Sequence, residues 1–384
     1  MANIAYYFDH AATTPLRQEA YDVMKRFLLV DFGNPNSLHE FGFVAKEALD
    51  EARATIAKSI GASSTEIYFT GSGTESNNLV ILGVARRLRK MKRGNEIITS
   101  CIEHPSVLKA CDALEQDGFK VTKIPVDQDG LVDLNAIQHA IRRDTVLISI
   151  MHANNVVGTI QPIEEIGNIA RKQGVLFHTD AVQTYCKIPM DVSALKADLI
   201  TINAHKIGGP KGVAALYVKS GIRLEPLIFG GGQERNLRPA TQNVPAICAF
   251  ATAAKDTLRE QPDEMRRLRE LREYLLTTLL QRIPGCKQNG HRTSSLPTHI
   301  NISIDQIEGQ ALMLELDRLG FATSSGSACS STDHEPSYVL LAMTHSRDRA
   351  LESLRITMGR TTTRESVTML IKALEQVVAT WRHT

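Results

Sequence analysis

The chain has 384 residues, 43% of them hydrophobic, with 44 Lys and Arg against 42 Asp and Glu for a net charge of +2. Length and apolar content allow a sizeable core shared between one large and one small domain, and the charge balance gives no general pull toward nucleic acid. No signal-peptide apolar core precedes Asp9 and no uninterrupted run of 18 apolar residues occurs, so a soluble, cytoplasmic protein without a membrane segment is expected.

Strand and helix patterns alternate from about residue 54 to 218, with strands predicted at 66–70, 96–100, 120–125, 146–151, 175–179, 199–203 and 214–218. Apolar strands without polar alternation, separated by helical stretches, indicate a mainly parallel sheet covered on both faces. Sites in such sheets gather at the strand C-termini. After the first strand, Gly71-Ser72-Gly73-Thr74-Glu75-Ser76 turns into a helical run over 77–88. Backbone N–H groups at the positive end of that helix suit a phosphate, although an ordinary capped helix would look the same. The turn has neither the Walker ending nor the spacing of a dinucleotide fingerprint. Six cations between Arg86 and Arg93 close the helix and read as a solvated end favoured by the dipole.

Farther along, the strand at 175–179 runs into Asp180, and the strand at 199–203 runs through Ala204 and His205 into Lys206 and a glycine turn at 208–212. A lysine that can present its amine to a bound aldehyde, with a carboxylate for a pyridinium nitrogen, is what pyridoxal phosphate chemistry asks of a protein. A helix over 246–259 is expected to break at Gln261-Pro262 before a charged helix over 264–283. Strands near 299–304, 321–324 and 354–357 and a last helix from Thr363 read as a smaller α/β unit that the extreme N-terminus joins. Between them lies Cys329, within Ser324-Ser325-Gly326-Ser327-Ala328-Cys329-Ser330-Ser331-Thr332-Asp333. Cys101, Cys111, Cys186, Cys248 and Cys286 mostly sit in or beside apolar segments, whereas small polar neighbours should leave the Cys329 thiol exposed. No Cys-x-x-Cys pair or Cys/His cluster has zinc-site spacing, so no metal site and no secreted disulfide framework is expected.

A wider set of motifs follows in order. They are Tyr7-Phe8-Asp9-His10-Ala11-Ala12-Thr13-Thr14-Pro15, Gly33-Asn34-Pro35-Asn36-Ser37-Leu38-His39, Gly73-Thr74-Glu75-Ser76-Asn77-Asn78, Glu103-His104 and Ala153-Asn154-Asn155. Then come His178-Thr179-Asp180-Ala181-Val182-Gln183, His205-Lys206, Gly230-Gly231-Gly232-Gln233-Glu234-Arg235, the Cys329 segment and Leu354-Arg355-Ile356. Together they make the chain resemble, nearly end to end, the pyridoxal-phosphate-dependent cysteine desulfurases with a Ser-Ser-Gly-Ser-Ala-Cys loop, within the class V aminotransferase-like enzymes. The resemblance implies the α/β fold of PLP-dependent transferases (aspartate aminotransferase-like, type I). A large mainly parallel-sheet domain would span residues 15–260, and residues 1–14 and 261–384 would form a small α/β domain carrying the nucleophile loop.

The roles implied by resemblance are specific. Lys206 holds the cofactor aldehyde as a Schiff base and moves protons at the substrate α-carbon; Asp180 keeps the pyridine nitrogen protonated; His104 stacks on the ring; Gln183 meets the phenolic oxygen. Gly73, Thr74, Asn203, His205 and Thr241 from a partner subunit hold the phosphate, and Arg355 clamps the substrate carboxylate, with Asn34 and Asn155 near that carboxylate and Asn155 also binding the cofactor. Cys329 attacks the sulfur of bound L-cysteine, giving alanine and a persulfide for an acceptor protein, with His104 or the substrate as candidate acceptors of the thiol proton. A homodimer is implied, and iron–sulfur cluster biogenesis with a scaffold as acceptor is one expectation. A selenocysteine or cystine lyase, or a catalytically weak PLP-binding assembly partner, are the alternatives. The chain departs from the pattern at Asn203, where serine is usual, at Val156, where glutamate is usual, and at Asn236 and Pro239-Ala240. By the same resemblance, an end at Thr384 is expected to fall short of the tail by which housekeeping members dock a scaffold.

Overall fold

Both faces of every central strand are buried, and this decides the layering. The computed structural model describes residues 3–325 and 335–382. In chain order the first part comprises α1 (Gln18–Leu29), α2 (Glu40–Lys58), β1 (Ile67–Thr70), α3 (Gly73–Lys90), β2 (Glu96–Ser100), α4 (Pro105–Gln116) and β3 (Lys120–Ile124). It continues with α5 (Leu134–Ala140), β4 (Thr145–Ser149), α6 (Ile163–Gln173), β5 (Leu176–Asp180), α7 (Val192–Leu195), β6 (Leu199–Asn203) and β7 (Ala214–Val218). The seven strands form one sheet in the order β1-β7-β6-β5-β4-β2-β3. Only β7 runs antiparallel to its neighbours, so the C-terminal ends of β1, β2, β4, β5 and β6 share one edge.

Side chains alternate across a strand, so each strand feeds two layers. Ile67, Phe69, Ile98, Ile148, Phe177, Ile200 and Tyr217 pack on one face with Leu49 and Ile56 of α2 and Ile166 of α6. Ile97, Leu147, Leu199, Leu216 and Val218 pack on the other with Leu79, Val80 and Val84 of α3 and Val107 and Leu114 of α4.

The chain then enters α8 (Val244–Arg282), β8 (Cys286–Asn289), β9 (His299–Ile304), α9 (Gly309–Arg318), α10 (Tyr338–Thr344), α11 (Arg347–Leu351), β10 (Ser353–Thr357) and α12 (Arg364–Arg382). A second, antiparallel sheet has the order β10-β9-β8. The expected break at Pro262 does not occur, since α8 runs through it. Pro262 cannot donate to the carbonyl of Leu258, a defect of about 3 kcal/mol. It is outweighed because Ile247, Phe250 and Ala254 bury against the large sheet before the proline, and Leu268, Leu271, Leu275 and Leu279 bury against the small one after it, at about 2 kcal/mol per leucine.

Residues 321–324 are likewise not a strand. Ala322 bridges Tyr7 and Ser324 bridges Arg355, so this extended segment pairs one residue at a time with two different neighbours. The first of these contacts, with the Asp9–Thr357 bridge and Phe8 buried beside Ile356, ties the N-terminal segment to the small sheet. Thr14 donates from N and Oγ1 to the carbonyl of His205 at 3.0 and 2.8 Å, which lays residues 11–14 across the end of β6. No helix among the described residues is long and apolar enough to cross a membrane.

Candidate active site

Helix α3 begins at Gly73, four residues earlier than the sequence pattern suggested, with Ser72 as N-cap accepting from Glu75 N at 3.0 Å. Gly73 and Thr74 therefore occupy the first turn, where backbone N–H groups have no intrahelical partner. A Cβ on Gly73 would lie 3.0 Å from Val182 Cγ2 and 3.7 Å from Asn203 Nδ2, so the Asn203 amide at the end of β6 faces this turn.

One turn into α3, Asn77 points at the end of β5. Its Nδ2 donates to Asp180 Oδ2 at 2.7 Å and to Ser106 Oγ at 2.9 Å, while Val182 N donates to Asp180 Oδ1 at 3.0 Å. Ser106 continues the chain, for its Oγ lies 2.8 Å from His104 Nδ1, which also accepts from Ser106 N at 3.1 Å. His104 thus caps α4 and closes a run Asp180–Asn77–Ser106–His104. An Nδ1 that accepts the backbone N–H leaves the proton of a neutral imidazole on Nε2. Burial lowers the His104 pKa, with Asp180 opposing and Lys206 reinforcing the effect.

Lys206 reaches back under the N-terminal segment. Its Nζ donates to the carbonyls of Ala11 and Ala12 at 2.5 and 2.6 Å. Gln183 Nε2 shares the Ala11 carbonyl at 3.1 Å, and Gln183 Oε1 accepts from Lys187 Nζ at 3.1 Å. His205 Nδ1 lies 3.1 Å from Thr13 Oγ1, and burial, then Lys206, Lys211 and Lys187, push its pKa down to about 4. On the far side, Arg355 pairs with Asp9 Oδ1 at 2.8 Å and donates to the Asn155 carbonyl at 3.1 Å. Burial raises the Asp9 pKa, against the opposing pull of Arg355 and Lys206.

Lys206 and Arg355 act on Asp9, and Lys187 feels both of these cations, a gathering of positive charge that suits an anionic ligand. Buried polar atoms without a protein partner sit among them: Asn155 Oδ1, Asn203 Oδ1, Asn77 Oδ1 and Arg355 Nε. A helix N-terminus with a donor amide beside it, a carboxylate held from two sides and a lysine at the next strand end fit pyridoxal phosphate.

The structure brings His104, Asp180, Gln183, Asn203, His205, Lys206, Asn155 and Arg355 to one strand edge. Asn34 is exposed and caps its own turn, accepting from Asn36 N at 3.0 Å, and Thr241 is exposed as well. Neither has a described hydrogen bond to the other candidates. Cys329 lies outside the described residues. Asn77, Ser106, Asp9 and Lys187 were missed as site residues. Asn77 had a signal, since it follows Gly73 by four residues and so shares its helix face. Lys187 had none, because only the turn after β5 folds it back. Val156 is buried with Ile102, Val339 and Leu340, so the unusual apolar residue there seats α10 beside the site.

A profile of the aminotransferase class-V family matches residues 6–370. A curated relative, the cysteine desulfurase IscS of Dictyoglomus turgidum, is 48% identical over 372 residues, covering 97% of this chain and 94% of that protein. A solved structure described as a NifS-like protein matches with a TM-score of 0.91 at 37% identity, covering 98% of this chain and 100% of the other. Another, SspA in complex with cysteine, has a TM-score of 0.83 at 34% identity and covers 93% of this chain and 100% of its own.

Proposed function

The chain belongs to the aminotransferase class-V family, and from that premise we propose that it is a pyridoxal-phosphate-dependent cysteine desulfurase. The observation that carries this reading is the pairing of Asp180 and Lys206 at the C-terminal ends of the adjacent parallel strands β5 and β6. When bound, pyridoxal phosphate supplies an aldehyde for amines and a ring that accepts electrons from the substrate α-carbon.

The protein groups divide the remaining work. The first turn of α3, Gly73 and Thr74, with Asn203 and His205, would hold the phosphate. Asp180, oriented by Asn77, would hold a proton on the ring nitrogen. Gln183 would donate to the phenolic oxygen, and His104 would cover the ring with its Nε2 proton available. Arg355 and Asn155 would bind the substrate carboxylate, with Asn34 near them. Lys206 would hold the aldehyde and then move a proton at the α-carbon.

Cys329 thiolate would attack the sulfur of bound L-cysteine. The new S–S bond forms as the C–S bond breaks, its electron pair stays on carbon and is protonated, and alanine leaves with sulfur retained as a Cys329 persulfide. Cysteine and one thiol thereby become alanine and one persulfide, with no external oxidant or reductant.

We also infer a homodimer. Leu28, Leu29, Val30, Phe32, Leu38, Phe41 and Phe43 are exposed on or between α1 and α2, a dense apolar band for a chain surface, and a second copy bringing its Thr241 to the phosphate supports the same reading. A cytoplasmic enzyme, divided at residues 15–260 against 1–14 and 261–384 and handing sulfur to an acceptor protein such as an iron–sulfur scaffold, completes the proposal.

The test is purified protein with cysteine, assaying alanine and sulfide separately and the residue 329 peptide by mass spectrometry. Alanine with a persulfide on Cys329 is expected, and Cys329→Ala should keep the cofactor while losing sulfur transfer. Alanine and sulfide at the parental rate from Cys329→Ala would replace the desulfurase with another kind of lyase. Loss of the bound-cofactor absorption in Lys206→Ala tests the lysine.

A further inference from the structure

Lys187 has no place in the chemistry above, yet it is tied directly to it. Its Nζ donates to Gln183 Oε1 at 3.1 Å, and Gln183 Nε2 donates at 3.1 Å to the Ala11 carbonyl, the acceptor that Lys206 Nζ also uses at 2.5 Å. A primary amide has one acceptor end and one donor end. A donor at Oε1 therefore determines which way the amide points, with Nε2 on the side of Lys206. The turn that makes this possible is unusual. Lys187 N bonds the carbonyl of Thr184 at 2.9 Å, and Cys186 just before it takes φ 58, a left-handed conformation uncommon outside glycine. That conformation folds Lys187 back toward Gln183.

The electrostatic surroundings of Lys187 are lopsided. Lys206 and Arg355 act on it as like charges, and His10, His205 and His299, all held below their ordinary pKa by burial, each sense its charge. Cys186 is the one group among them that opposes this, and its thiol is pushed far up by burial. The carboxylate that acts with Lys206, Asp9, is engaged by Arg355. Burial first, then Lys206 and Arg355, pull Lys187 down to about 7, so it changes charge near neutrality beside Lys206.

We propose that Lys187 is a positioning residue, which sets the Gln183 amide with Nε2 toward Lys206 and places a positive charge next to that lysine. The inference rests on the roles of Lys206 and Gln183 argued above. Its test is a pH titration of the visible absorption of the holoenzyme, comparing the parent with Lys187→Met and Lys187→Arg, each with glutamine or leucine at residue 183.

Removing the charge and freeing the amide should both favour protonation at the cofactor–lysine centre, so Lys187→Met should raise the midpoint by about one pH unit. Lys187→Arg, which keeps donor and charge, should restore the parental midpoint. In Gln183→Leu the Lys187→Met shift should shrink, because part of it runs through the amide. If Lys187→Met does not fold, Lys187→Leu, which likewise removes both donor and charge, should show the same rise and the same dependence on residue 183. An unchanged midpoint, or a shift of equal size with glutamine and leucine at 183, overturns the proposal. Failure of the underlying reading would look different: Lys206→Ala would then retain the parental band.

Discussion

Asn203 shows how much one amide can decide. Its Nδ2 faces the first turn of α3 while its Oδ1 is buried without a partner. On the phosphate role proposed for Asn203, Asn203→Ala would remove a donor to an anionic group, worth about 1.5–3 kcal/mol, so apo-protein should bind pyridoxal phosphate roughly 10- to 150-fold more weakly in a cofactor titration. Asn203→Ser keeps a donor and removes the orphaned oxygen, and is expected to bind at least as tightly as the parent. Glu103 supplies the pH dependence. It is fully buried, accepts from Ser100 Oγ at 2.6 Å and Met151 N at 3.0 Å, and has its pKa raised by burial from 4.5 to about 8. A folded state that holds the proton more tightly is stabilised fully below pH 4.5, and that contribution fades as the pH rises toward 8. The parent should therefore lose stability relative to Glu103→Gln across this window, read from urea unfolding at pH 5, 6.5 and 8.5. A difference between the two proteins that stayed constant with pH would mean that Glu103 is ionised throughout.

Among the elements, the turn after the glycine run is the most strained. Glu234, Arg235 and Asn236 take φ of 44, 55 and 64 in succession, and Ala240 follows at 98. Such backbone persists only when its surroundings over-determine it. Here Arg53 of α2 pairs bidentately with Glu234 at 2.7 Å through both nitrogens, Phe69 N of β1 donates to the same carboxylate at 2.9 Å, and Arg235 stacks 3.9 Å above the Tyr68 ring. Arg53→Leu would leave the Glu234 carboxylate buried without its cation. The expected loss is about 3–5 kcal/mol of unfolding free energy, measured by denaturant titration. A loss under about 1 kcal/mol, as for an exposed pair, would show that the turn holds itself. The turn precedes Thr241 by a few residues, so its release should also lower cofactor affinity if Thr241 serves a neighbouring subunit.

At the scale of the molecule, two sheets share one long helix and one N-terminal segment, and the candidate site lies where these meet. Asp9 and residues 11–14 connect β10 to the end of β6, so Arg355 from the small sheet and Lys206 from the large one face the same space. The band from Leu28 to Phe43 gives the assembly its test. Leu38 and Phe41 are 89% and 55% exposed. Replacing both with Asp should convert the proposed dimer to a monomer by sedimentation and weaken cofactor binding with it. Double-variant protein that stayed dimeric would move the interface elsewhere.

The large sheet was legible in the sequence because strands buried on both faces must be apolar throughout, and all seven predicted segments became strands to within about two residues at either end. Asp180 and Lys206 were legible for the same reason, since a strand end followed by a turn is where such a sheet presents chemistry. The sequence could not reveal that α8 crosses Pro262, because the leucines that offset the proline are buried by a different sheet from the residues before it. Nor could it reveal β8, whose Cys-Lys-Gln-Asn has no apolar pattern and is paired only through β9. Ser106 and Lys187 belong with these, as do the contacts of Asn77, for which spacing showed only the helix face. Each acts through a partner distant in sequence or across a tight turn, and only tertiary packing brings a hydrogen-bond donor within 3 Å or so of the atom it serves.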